Sequence, residues 1–198
     1  MSKMKRFMTR FASVIIFILG IILALGIFFP WGEAGKFALN LGYSQLGRMG
    51  MSLSYSDVVG EDDGFTVNNV RISGMTDISL SSLTIRPRFW ASILRLGIVC
   101  DVEFKGCNIR LGQNMNVGDG GFLLTVKAPQ ILLEELRTNG EFSLNGYITL
   151  DSSTMKISHA EARLTVPESF SQNMSVLRNF LPLVQEGGRW YLRRLSNS

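Results

Sequence analysis

The chain has one histidine, His159, and two cysteines, Cys100 and Cys107, in 198 residues. With so few, no His/Cys cluster has the spacing of a zinc site. A Ser-His-acid relay would have to be built on His159, and nothing nearby in sequence supports it. Two cysteines are too few for a disulfide framework. No glycine-rich loop stands between a strand and a helix to cradle a phosphate. Acidic residues are absent before Glu33, while Lys3, Lys5, Arg6 and Arg10 account for the whole net charge of +4. Without those four, the chain carries 16 basic and 16 acidic residues, so its basicity gives no support for nucleic-acid binding. The expectation is a non-enzyme with no catalytic, cofactor-binding or metal residues, no cofactor and no nucleic-acid partner.

What is present begins with Phe11–Phe29, nineteen residues without a charge. As a helix the run would be about 28 Å long, close to the thickness of a bilayer core. A helix also satisfies every backbone amide where no water is available. Pro30 ends it, since proline cannot donate and biases Phe29 away from helix. Basic residues before a span stay on the cytoplasmic side. The competing reading is a cleaved signal peptide with small residues at Ala24 and Gly26. The length of the run and its continuation through Ile27-Phe28-Phe29 favour an anchor. Both readings export the body. The layout expected is a cytoplasmic basic tail at 1–10, a transmembrane anchor at 11–30, a connector helix at 31–50 and a periplasmic β-rich domain at 51–198. Trp31 stands where an interfacial aromatic belt would place it.

Within 31–50, Ala34, Phe37, Ala38 and Leu41 share a helical stripe, and Gly47 and Gly50 suggest the end. From Met51 the period becomes two, as half-buried strands require. Met51, Leu53 and Tyr55 alternate with serines, and Gly60–Gly64 reads as a turn. Phe65, Val67 and Asn69 face one way, with Val70 and Ile72 on the other parity after a local irregularity. Ile78 and Leu80, then Leu83 and Ile85, shift in the same manner. Arg86–Leu96 reads as a short amphipathic helix opened by Pro87 and closed by Gly97, with Phe89, Trp90, Ile93 and Leu94 on its apolar side. Ile98, Cys100, Val102 and Phe104 alternate until Gly106, after which Cys107, Ile109 and Leu111 take the opposite parity. A glycine bulge explains that flip. The two cysteines are then about 23 Å apart along one strand, too far to bridge. A hairpin turn at Lys105-Gly106 would remove that argument.

Further along, Gly112–Gly121 reads as a loop and Phe122–Lys127 as a strand. Pro129–Arg137 is a short apolar piece, and Asn139-Gly140 is a turn. Phe142, Leu144, Gly146, Ile148 and Leu150 share one strand face. Asp151-Ser152-Ser153 turns the chain into Met155–Ile157 and Ala160–Val166. Ser169–Leu181 carries Met174, Leu177 and Leu181 on one helical face, and Arg189–Leu195 is a last strand with Trp190 and Leu192 inward. Two places invite a chemical reading and have a plainer one. Asp62-Asp63 are adjacent loop residues that point apart, with no histidine or further acid beside them to complete a metal or acid/base site. His159 stands between Ser158 and Ala160 in a strand, where a lone histidine is usually a satisfied residue.

A strand ending in Leu83-Thr84-Ile85-Arg86-Pro87, the helix with Trp90, Ile93 and Leu94, and the strand from Ile98 to the Gly106 kink resemble the type II secretion system protein N family. They also resemble the wider AsmA-like group of membrane-anchored periplasmic proteins, and the anchor ending in Phe29-Pro30-Trp31 is similar too. In that group a stretch like Gly140–Leu150 is a long strand of a curved sheet. The resemblance implies a mainly β fold: one N-terminal transmembrane helix, then a curved antiparallel β-sheet with two or three short amphipathic helices. It implies a non-catalytic, inner-membrane-anchored accessory component of a bacterial type II protein secretion system, with envelope or secretion-system proteins as partners at exposed sheet edges. The alternative is an AsmA-like lipid-binding or lipid-transfer module. The two differ in whether the apolar face is filled by Phe89–Leu96 and Met174–Leu181 or left as a groove for phospholipid.

Overall fold

The computed structural model describes residues 29–194, apart from 49, 75, 112, 168–177, 179–181 and 188, together with Phe17. The anchor expected at 11–30 and the helix expected at Ser169–Leu181 therefore lie almost wholly outside the described residues. Among the described residues, no helix is long and apolar enough to cross a membrane.

Helix α1 (Trp31–Arg48) leads into strands β1 (Ser52–Ser54), β2 (Asp57–Gly60), β3 (Phe65–Ser73) and β4 (Asp77–Pro87). Helix α2 (Phe89–Arg95) follows, then β5 (Ile98–Leu111), β6 (Gln113–Lys127), β7 (Gln130–Thr138), β8 (Ser143–Asp151) and β9 (Ile157–Thr165). Strands β10 (Leu183–Glu186) and β11 (Arg189–Arg194) close the order. The strands form one open antiparallel sheet in the order β1-β3-β4-β5-β6-β7-β8-β9-β11-β10, with β2 beside β3. From β3 to β9 each strand pairs with the one before it, so the connections are hairpins, and α2 is the insertion in one of them.

Alternation gives this sheet an apolar and a polar face. Residues opposite each other on antiparallel strands share a face. Pro87, Cys100, Leu124, Leu133, Ile148 and Ala160 are linked in this way across six strands. The neighbouring row, Val99, Thr125, Leu132, Thr149 and His159, lies on the opposite face.

The parity flips in the sequence are one structural feature. Asn69, Gly106, Gly118 and Glu135 have φ of 52°, 61°, 72° and 53°, so a line of left-handed residues crosses β3, β5, β6 and β7. Each reverses the alternation of its strand, so Phe65 and Val67 share the apolar face with Val70, and Val102 shares it with Cys107. All five are buried. The pairing of β4 with β5 has the same register on both sides of this line. Between β4 and β5 the reversal thus keeps the apolar face continuous without an inserted residue, whereas β6 with β7 and β7 with β8 shift register by one at the same line. At about 1.5–3 kcal/mol per buried Val, Leu or Phe, this continuity outweighs the roughly 1–2 kcal/mol of a left-handed residue.

Two expectations need correction. Gly112–Gly121 is not a loop: Gln113–Lys127 is one fifteen-residue strand. Its glycines make room, since a Cβ at Gly120 would lie 2.4 Å from the Arg137 carbonyl and 2.6 Å from the Phe104 ring. Pro87 does not open α2. It ends β4, and Arg88 is extended ahead of the helix. The Phe37 and Leu41 part of the α1 stripe does not lie against the sheet. Phe37 and Leu41 are exposed, while Trp31 and Leu39 pack against Phe65, Val67 and Val70. The small residue faces inward because the approach is close: a Cβ at Gly35 would lie 2.6 Å from the Phe65 ring.

Candidate functional site

The polar face carries the charge. Arg86 on β4 reaches Glu103 at 3.0 Å, Glu61 at 3.4 Å and Asp63 at 3.4 Å. The Glu103 hydrogen bond raises its pKa first, with the other carboxylates adding to that and burial opposing it. Asp63 is thus one of three carboxylates gathered around a single guanidinium, and its neighbour Asp62 is an exposed turn residue. Arg88 pairs with Asp101, which raises its pKa, and Arg95 pairs with Glu134. No group of three or more His, Cys, Asp or Glu side chains among the described residues could hold a metal ion.

His159 lies on the same face. Its Nε2 is 2.8 Å from the Tyr147 hydroxyl, and the two rings stack with centroids 5.5 Å apart. Tyr147 also donates to Glu161 at 3.4 Å. Burial and Glu161 raise the Tyr147 pKa. This is a cross-strand ladder over β8 and β9, and each member is satisfied by its neighbours. Cys100 and Cys107 are free and buried on the apolar face, as the kinked-strand reading expects. Burial pushes the Cys107 thiol up to about 11 and raises Cys100 as well. Neither has the lowered pKa of a reactive thiol.

Helix α2 does not cover the apolar face. Its Ser92 hydroxyl accepts from the Val99 amide at 2.9 Å, and Arg95 donates to the Thr125 hydroxyl at 3.2 Å. Val99 and Thr125 belong to the polar face, so α2 docks there, on the side of Ser92 and Arg95. The stripe is left pointing outward: Trp90 is 69% exposed, Leu94 83% and Leu96 80%. Leu96, and not the following glycine, takes the left-handed position that closes the helix, with φ of 51°. The sequence shows the stripe but not its direction. The signal that could have given it is Ala91-Ser92, the small pair that permits close docking.

Two adjoining clefts lie on the polar face along and beyond the kink line. One, of about 420 Å³, is lined by residues that include Tyr55, Asn69, Arg71, Ser79 and Gly106. The other, of about 440 Å³, includes Arg71, Asp77, Asn108, Arg110 and Asn114. A third, of about 450 Å³, lies where β7 and β8 shift register and is mainly apolar. All three are open. They offer surfaces for contact, the second with Arg71, Asp77 and Arg110 around it.

No curated protein and no solved structure matches the chain. One family does, described as "Type II secretion system protein GspN-like, Synergistales", over residues 8–194. That match takes in the apolar run and the whole sheet, and it agrees with the resemblance carried by the β4-α2-β5 stretch. The chain belongs to the GspN-like family of type II secretion system proteins.

Proposed function

We propose that the chain is a non-catalytic accessory component of a type II secretion system, anchored in the inner membrane by residues 11–30, with its sheet in the periplasm. The observation that carries this reading is the junction at Pro30. An uncharged run preceded by four basic residues passes, with no spacer, into a helix packed on β2 and β3. Such a junction suits a body held against a membrane and working by contact. Capture of the full-length chain from solubilised membranes should recover other components of the secretion apparatus. Recovery of none, in a host that has the apparatus, would count heavily against the assignment. Protease added to sealed spheroplasts tests the orientation: the sheet should be cut and the basic tail spared.

A second reading, a lipid-handling module, is favoured by one observation. With α2 on the polar face, Phe104, Phe122, Leu124, Leu133 and Ile148 form an apolar row that is only half-buried. Mass spectrometry of the chain purified in mild detergent should then show phospholipid retained beyond the annular lipid of an unrelated single-span protein. Retention equal to that control would remove this reading and leave the first.

A further inference from the structure

The outward stripe of α2 lies at one end of the sheet, and so does the start of α1. The route can be followed strand by strand. A Cβ at Gly60 would meet the Gly32 amide at 2.8 Å, so the first turn of α1 sits on the end of β2. Gly60 pairs with Phe65, Phe65 with Ile85, and Pro87 with Cys100. Ile98 pairs with Val126, Gln130 with Asp151, and the Pro129 carbonyl accepts from Ser152 at 2.8 Å. Phe29, α2, Ile98 and the β8–β9 turn with Met155 therefore share one end. From β2 to β5 is three strand spacings, about 15 Å.

This end breaks two local rules at once. Phe89, Trp90, Ile93, Leu94, Leu96 and Ile98 are all more than half exposed within ten residues, and Met155 is 50% exposed. Leu96 also holds a left-handed backbone, which a leucine adopts at a cost of roughly 1–2 kcal/mol. Clustered apolar exposure on a soluble surface marks an interaction site. The occupant follows from where the chain goes. The nineteen uncharged residues end at Phe29, and Phe29 packs its ring on Trp31 at 4.4 Å, at this same end. The residue at which that run ends and the exposed stripe of α2 thus share one end of the sheet.

We propose that α2 and the adjoining Leu96, Ile98 and Met155 insert into the interfacial region of the same bilayer that holds residues 11–29. The inference rests on the anchoring proposed above and goes one step further: the sheet is seated on the membrane by a second contact and does not hang from a single tether. The chemistry is that of an interfacial amphipathic helix, with Trp90 at headgroup depth and Leu94 below it. Charge at this end is mixed, with Asp62 and Asp63 offset by the exposed Lys127 and Lys156, so apolar burial drives the contact.

The test uses the full-length chain in vesicles of phosphatidylethanolamine and phosphatidylglycerol. Trp31→Phe and Trp190→Phe leave Trp90 as the sole tryptophan. Its emission should be blue-shifted and strongly quenched by lipids brominated along the acyl chain, and high salt should not change this. A parallel form keeps all tryptophans: Leu94→Cys is labelled with a polarity-sensitive dye under native conditions, where buried Cys100 and Cys107 do not compete. Bright, blue emission is expected there. Adding Leu96→Glu to that variant should reduce it while flotation and circular dichroism stay unchanged. Flotation with water-like, unquenched emission from both probes would overturn the seated tip and leave the anchor standing. A chain that does not float with the vesicles would overturn both.

Discussion

Gly106 tests whether the kink line is built by its left-handed residues. Gly106→Ala keeps the hydrogen bond from its amide to Asp119, 2.8 Å long, so the change isolates the added methyl. With φ of 61°, an alanine there costs roughly 1–2 kcal/mol. The new Cβ would also sit 2.2 Å from the Ser81 hydroxyl and 3.2 Å from its Cβ. That hydroxyl is the tip of a short side chain and can swing away, at about 0.5–1.5 kcal/mol for a displaced rotamer. Against these stands a gain of about 0.4–1 kcal/mol, because alanine narrows the unfolded ensemble. The net is a loss of about 0.5–3 kcal/mol, or about 1–12 °C in melting midpoint for a chain of this length.

The assay is thermal and urea unfolding of the full-length protein in detergent, followed by far-UV circular dichroism. The double-mutant cycle with Ser81→Ala separates the two terms. In the Ser81→Ala background the penalty of Gly106→Ala should shrink by about 0.5–1 kcal/mol, leaving the backbone part. Two results would refute the reasoning. If Gly106→Ala melts with the parent, the left-handed backbone is not needed. If its penalty is the same with or without the serine hydroxyl, the close approach of β4 to β5 is not as described.

Other perturbations give outcomes of opposite sign. Gly42→Ala in α1 meets nothing within 4 Å and should stabilise the fold by about 0.5–1 kcal/mol, whereas Gly35→Ala drives its methyl into the Phe65 ring and should destabilise it by about 1–3 kcal/mol in the same melts. The Cys107 thiol ionises near 11 when folded and near 9.0 when unfolded, so its contribution is intact below pH 9. As pH rises from 9 toward 11 the unfolded state loses the proton first, and stability should fall by up to about 1.4 kcal/mol per pH unit. Cys107→Ala should flatten that alkaline limb. Asp151 accepts from Ser153 and Thr154, with the Ser153 hydroxyl first, and its pKa is lowered from 3.8 to about 2. Its contribution is present above pH 4 and should fade as pH drops toward 2, and Asp151→Asn should remove that acid slope in hydrogen exchange across the β8–β9 turn.

Much of the sheet was legible because its strands alternate strictly on either side of the kink. Val67 to Val70, Leu80 to Leu83 and Phe104 to Cys107 announce the reversal in three neighbouring strands, and Gly106 names its cause in one. The same line is hidden at Gly118, where three glycines and two acidic or amide neighbours imitate a loop, and at Glu135, where no residue type signals a left-handed backbone. Helix direction was the larger loss. In α1 the inward positions include Gly35, and in α2 Ala91 and Ser92, because close docking on a sheet selects small residues. The larger apolar residues are displaced outward, and a hydrophobicity pattern then points away from the core.

The geometry of the edges bears on how such a sheet meets partners. Added strands need a long row of unpaired backbone groups. On one side, the last strands are β1 with three residues and β2 with four, and α1 packs against both. On the other, β10 has four residues, and Gln185 and Glu186 are exposed along it. Neither side, among the described residues, offers the run that strand addition uses, so the sequence-based expectation of docking at sheet edges loses its main support. The outward stripe of α1 at Phe37 and Leu41 is apolar and lies beyond the first turn of the helix. Phe37→Asp with Leu41→Asp should therefore abolish capture of apparatus components while leaving the melting midpoint unchanged. Capture that survives this pair of charges, but fails when β10 is capped by Val184→Pro, would return the contact to the edge.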